Sequence, residues 1–190
     1  MSFSKKYTIK IPKNISVVHS KRKKIIVLIG LFGKKVFALK TKIFFNIYRN
    51  KIYVSKFPHV KTSTAQIKKL KSYQGTLIAL LEQGILETSV KIYQKLKLVG
   101  VGYRVFLFNL LSYKILRLKL GYSHEIYFKL NEEIKFFCVK TTAFYIYGNL
   151  YQIVAETSAK LKSYKVPEPY KGKGISHENE TIVLKKGKKM

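Results

Sequence analysis

A chain of 190 residues that is 47% hydrophobic has room for one domain or two small ones and enough apolar material for a packed core, which excludes wholesale disorder. Its 38 lysines and arginines against 9 acids give a formal charge of +29, a self-repulsion that disfavours a compact state unless a polyanion neutralises it. No run of 18 apolar residues exists to span a membrane, no sustained apolar core marks a secretory signal, and the single cysteine excludes an intrachain disulfide and implies no thiolate metal site.

Residues 1–24 hold eight bases and no acid, with Pro12 and Asn14 marking a turn; they read as a basic arm with one short strand near Tyr7 to Ile11. Ile25 to Gly30 is a buried strand, followed by a turn at Phe32, Gly33 and Lys34 and a strand from Lys35 to Lys40. Ile43 to Tyr48 and Lys51 to Lys56 flank Arg49-Asn50 as a hairpin. Ile67, Leu70, Gln74, Leu77, Ile78, Leu81 and Ile85 recur at spacings of three and four, one face of a helix capped by Thr62 or Ser63 and ending near Gly84. Residues 25–84 would form the first domain. The first acid is Glu82, and residues 1–81 carry 19 of the bases, so this half should lie against phosphate at least as closely as the other.

The second half repeats the first. Shifting residues 25–56 by 91 positions lays Gly30 on Gly121, Phe37 on Phe128, Leu39 on Leu130, Ile43 on Ile134 and Phe45 on Phe136. Both blocks run strand, turn, strand, hairpin, helix. Phe45 and Phe136 should then be equivalent core positions under their own helices. Glu132-Glu133 form a solvated turn, and Cys138, in the run Phe136 to Val139, reads as a small core residue. The second helix has Asn149 as its cap and Leu150, Ile153, Val154, Thr157, Leu161 and Tyr164 on one face, and ends at Val166-Pro167. The expected fold class is α+β: two similar small domains (25–84 and 85–166), each a mostly antiparallel sheet covered by one helix, with a basic tail over 167–190.

Catalytic constellations are missing. All nine acids are glutamates, and the adjacent pair Glu132-Glu133 would face opposite ways on a strand. His19, His59, His124 and His177 lack metal-ligand spacing. Gly100-Val101-Gly102 is followed by Val105 where a dinucleotide loop needs glycine, and Lys171 to Ser176 lacks the lysine of a phosphate loop. We expect neither an enzyme nor a cofactor.

Val166 to Ile175 reads VPEPYKGKGI. Its prolines make it stiff and non-helical, and one aromatic with lysines alternating with glycines suits contact with RNA. Upstream, Gln94 to Arg104 reads QKLKLVGVGYR and Leu118 to His124 reads LKLGYSH. In this order and spacing the three segments resemble the bacterial-type large-subunit ribosomal protein L-six family, closely from about Gly75 to Ile175. That family is described as two related domains. The resemblance implies a structural constituent of the large subunit that binds rRNA near the stalk base and the sarcin–ricin loop. Its partners would be neighbouring ribosomal proteins, with translational GTPases docking nearby. The residues it would use are Lys95, Lys97, Tyr103, Arg104, Lys165, Tyr170, Lys171, Gly172, Lys173 and Gly174. Lysines would lie on phosphates, Arg104 would clamp one bidentately, and Tyr103 and Tyr170 would stack, although Tyr103 equally suits the edge of a core.

One departure is visible: Ser176-His177 follow Ile175 where the family continues with a basic residue and tyrosine. Because the segment follows Pro167, outside both expected cores, valine at Gly172 and Gly174 should weaken RNA attachment and leave the fold intact. Four arginines, no tryptophan and no aspartate fit an AT-rich coding genome and hence an organelle, the mitochondrion placed ahead of the plastid. Two other readings stand: a single-strand nucleic-acid binder outside the ribosome, and a basic membrane-surface protein, for which neither helix offers a broad lysine face.

Overall fold

A computed structural model describes residues 8–20, 22–39, 43–48, 50–56, 63–110 and 113–187, with backbone alone for 43–48 and 55–56. Tyr7, Lys40, Arg49 and Thr62, and the side chain of Phe45, lie outside the described residues. The chain divides into two compact units, Met1–Lys91 and Ile92–Met190.

The first unit contains β1 (Thr8–Lys10), β2 (Ser16–Ser20), β3 (Ile25–Gly30), β4 (Gly33–Ala38), β5 (Ile43–Tyr48), β6 (Lys51–Lys56) and α1 (Thr64–Ser89). Two antiparallel sheets result, ordered β1-β6-β5 and β2-β3-β4. Asn50, with φ 56, takes the left-handed conformation that a two-residue hairpin needs and asparagine tolerates. Ile26, Leu28, Ile52 and Val54 alternate inward from the strands and meet Ile78, Leu81 and Ile85 of α1.

Two sequence expectations change here. The basic arm contains a second strand, β2, which pairs along β3 with Val17 beside Leu28, while Ile15 and Ile9 enter the core. Without it β3 would leave one row of backbone donors and acceptors unpaired at a buried edge. Gly84 does not end α1, which continues to Ser89. A Cβ there would sit 2.6 Å from the Phe37 ring, so this glycine allows the helix to lie close on β4. The longer helix moves the boundary between units from 84 to Lys91. Gln74, buried on the helix face, is satisfied by donating Nε2–H to the Val54 carbonyl at 2.6 Å.

The second unit contains β7 (Ile92–Val99), β8 (Arg104–Leu110), β9 (Tyr113–Lys119), β10 (Ile126–Lys129), β11 (Ile134–Lys140), β12 (Ala143–Gly148), α2 (Tyr151–Ser163) and β13 (Gly174–His177). Its sheets are ordered β8-β9-β10 and β11-β12-β7-β13. The first unit's β2-β3-β4 and β1-β6-β5 recur here with one strand added, as internal duplication requires. The ungapped shift of 91 is only an average. Buried Ile26 and Leu28 correspond to Leu116 and Leu118, an offset of 90, whereas Ile52 and Val54 correspond to Phe144 and Ile146, an offset of 92. A one-residue error in a strand exchanges its two faces, so alternation of burial is what sets this register. Phe136 is half-buried and packs on Phe144 with ring centroids 5.1 Å apart.

Three further corrections follow. The residue before α2 is Leu150, not Asn149, and no side chain caps the helix. Cys138 is exposed. It alternates with Ile134 and Phe136 toward the inner face, but α2 packs on β7, β12 and β13 and leaves the far end of edge strand β11 uncovered. The supposed tail is part of the sheet. β13 runs antiparallel to β7, with Gly174 opposite Val99 and Ile175 opposite Leu98, and Ile175 is fully buried.

Candidate nucleic-acid interface

The segment between α2 and β13 is closed by backbone bonds. Glu168 N–H donates to the Lys173 carbonyl at 2.9 Å, and Gly172 N–H to the Glu168 carbonyl at 2.8 Å. Ile175 N–H donates to the Lys165 carbonyl at 2.8 Å, which pins the loop to the end of the helix. The result is a rigid turn with Tyr170 and Lys171 exposed at its tip. Gly172 has φ 69, in the left-handed region. Gly174 has no room for a side chain: a Cβ would lie 2.7 Å from backbone atoms of Pro167. Both glycines therefore serve closure of the turn within the protein, and Lys173 is half-buried beside them.

A second group assembles at the C-terminal end of α2. Lys165 Nζ lies 4.3 Å from the centre of the Tyr122 ring, which stacks on His124 at 5.7 Å. Tyr122 Oη donates to the Tyr164 carbonyl at 3.0 Å. Tyr122 and His124 were not among the residues expected from sequence. They belong to LGYSH, and only the fold brings that turn to Lys165.

Tyr103 takes the core position, one of its two readings. It is 7% exposed, with Gly100 and Gly121 so close to its ring that a Cβ on either would approach within 2.9 Å. It serves the core, and the paired glycines of GVGYR and LGYSH make its slot. Arg104, at the start of β8, is exposed.

Lys95 and Lys97 alternate outward from β7 but are not free cations. Glu178, just beyond β13, forms an ion pair with Lys95 and lies 3.4 Å from Lys97 Nζ. Further along the segment Glu180 bonds Lys162 at 2.5 Å. Among the described residues, Glu87, Glu125, Glu156, Glu178 and Glu180 thus pair with bases within the protein. Most of the 38 bases are left without an acid to neutralise them, which is the electrostatic footprint of a polyanion partner.

The hydrogen bond from Lys95 holds the Glu178 carboxyl below its ordinary 4.5, and the same bond holds Lys95 above its ordinary 10.5. A depressed carboxylate stabilises the fold fully above about pH 4.5, its ordinary value, and loses that contribution as pH falls through its folded value. Glu178→Gln should therefore leave stability less dependent on pH on the acid side of 4.5, as thermal melts at successive pH values would read. It should also free Lys95 and Lys97, raising affinity for RNA.

Among the described residues no group of histidine, cysteine and glutamate can hold a metal ion, and no helix is long and apolar enough to cross a membrane.

The family model described as Ribosomal protein L6 matches residues 99–178, from the last residue of β7 through β13 to Glu178. The large ribosomal subunit protein uL6 of Mycoplasmoides gallisepticum is 34% identical over 182 residues, 95% of this chain and 92% of that protein. The uL6 of Paramagnetospirillum magneticum is 32% identical over 189 residues, 100% of this chain and 99% of that one. The uL6 of Buchnera aphidicola is 42% identical over 115 residues, 60% of this chain and 63% of its own.

Proposed function

The chain belongs to the ribosomal protein L6 family, and from that premise we propose that it is a structural constituent of the large ribosomal subunit, held there by rRNA and by neighbouring ribosomal proteins. The observation that carries this reading is similarity across nearly the whole length of bacterial relatives named as large-subunit proteins. The role is positional rather than catalytic.

Within that role the contacts are assigned to the turn that presents Tyr170 and Lys171, to Arg104, and to Lys165 with Tyr122 beside it. Lys171 and Arg104 neutralise phosphate, while Tyr170 supplies a face for a base or ribose. Lys95 and Lys97 reach phosphate only where it displaces Glu178. Gly172, Lys173 and Gly174 hold the turn in shape. Tyr103, being enclosed, fills the core slot beside Gly100 and Gly121. The finer location follows the family: near the stalk base and the sarcin–ricin loop, shaping the surface on which translational GTPases dock.

The relatives are bacterial, so the compartment rests on codon-biased composition, from which we assign an organellar ribosome, mitochondrial before plastid. Sedimentation with chemical footprinting tests the whole reading. The chain should stay with large subunits through a high-salt wash and protect rRNA around the sarcin–ricin loop. Release into the free fraction would favour a non-ribosomal single-strand binder.

A further inference from the structure

The outer face of the four-stranded sheet is built unlike its counterpart in the first unit. Leu96 and Leu98 of β7 and Phe144 and Ile146 of β12 alternate into the core. The residues between them alternate outward, and the strand register sets them in rows. One row holds Tyr93, Tyr147 and Lys135; the next holds Lys95, Tyr145 and Phe137. Tyr93 is 65% exposed and Phe137 58%, a large apolar area to leave in water. The Tyr93 and Tyr145 rings meet edge to face at 5.8 Å, and Lys95 Nζ lies 5.3 Å from the centre of the Tyr145 ring.

Two members of this set are not needed to build the fold. In the duplicated first unit, on strands of the same order and pairing, the register puts Asn46 and Ser55 at the positions of Phe137 and Tyr147, with Tyr53 at that of Tyr145 and Phe44 at that of Lys135. The frame therefore forms without rings at the Phe137 and Tyr147 places, and the rings there have another use.

We propose that this face is a stacking platform for an unpaired stretch of rRNA, an inference that rests on the ribosomal reading above and extends it. Neighbours within a row lie about 5 Å apart across strands and the two rows lie about 7 Å apart along them, a spacing over which splayed bases can each take one ring. Lys135 is exposed beside the rings to meet phosphate, and Lys95 stands at the same face. A protein partner fits less well, because protein interfaces are depleted in lysine at their centres and this face has lysines within its rows. Glu178, at the β13 margin, is the acid that phosphate would have to displace from Lys95.

The test is the full-length double variant Tyr93→Leu/Phe137→Leu, which keeps apolar volume and charge but removes two faces. Binding is measured by anisotropy to an unstructured ten-nucleotide RNA and to a duplex of the same sequence. Affinity for the single strand should fall roughly 10- to 100-fold with an unchanged salt slope, and the duplex should bind as before. An unchanged single-strand affinity, or an equal loss on both RNAs, overturns the platform. A measurement needing no variant runs beside it. Ultraviolet irradiation of intact large subunits should attach Tyr93 or Phe137 to rRNA, and adducts with protein alone overturn the assignment. If the wild-type chain does not co-sediment with large subunits, the ribosomal reading falls and this occupant with it. If it does, and the double variant binds single strands normally, the platform alone falls.

Discussion

Gly174→Val is expected to melt far below the wild-type protein, although it lies in a segment that sequence alone places outside any core. The backbone there has φ 154, and the new Cβ would stand 2.7 Å from Pro167 backbone and 2.9 Å from the Lys165 carbonyl oxygen. Those neighbours are main chain, so the clash is not relieved by turning a side chain. Strain at such a position costs about 1–3 kcal/mol and overpacking about as much again. The sum is a large fraction of the ~5–15 kcal/mol that holds a domain folded. The loss also reaches β7, because the bond from Ile175 to Lys165 and the pairing of β13 with β7 depend on this approach. A fall of roughly 10–30 °C in melting temperature, followed by circular dichroism without RNA, is the expected reading. Gly172→Ala is the control: its nearest neighbour is the flexible Leu184 side chain at 3.4 Å, so only the left-handed backbone is strained. That should cost about 1 kcal/mol. A Gly174→Val protein that melts like wild type would mean that the segment is the loose tail its composition suggests.

Binding to an rRNA fragment should weaken steeply with salt. A chain of formal charge +29 that engages roughly six to ten phosphates should lose about three to five decades of affinity between ~50 and ~200 mM salt. The slope counts the phosphates neutralised, so internal ion pairs should lower it. Glu178→Gln should steepen it, by about one contact for each lysine set free. Affinity almost independent of salt would point instead to a module that binds protein.

The sequence by itself determined the α+β class, the duplication, the limits of β3, β5 and β6, and the polyanion partner. Each is written in local pattern or bulk charge. Ile43 to Tyr48 and Lys51 to Lys56 are the observed β5 and β6, because alternation bounded by Arg49-Asn50 needs no distant information. The apolar spacing from Ile67 to Ile85 likewise places α1 on its observed face. What only the tertiary structure decided depends on residues far apart in the chain. Gly84 and Gly174 look like helix stop and flexible tail until Phe37 and Pro167 are seen against them. Tyr103 suits a stacking ring and a core edge equally until Gly100 and Gly121 are seen to close over it. Lys95 and Lys97 look like free phosphate ligands until β13 carries Glu178 beside them. Local periodicity encodes which face of a strand or helix is apolar. It does not encode what covers that face or which acid neutralises a given base, since packing and ion pairing are set by neighbours in space.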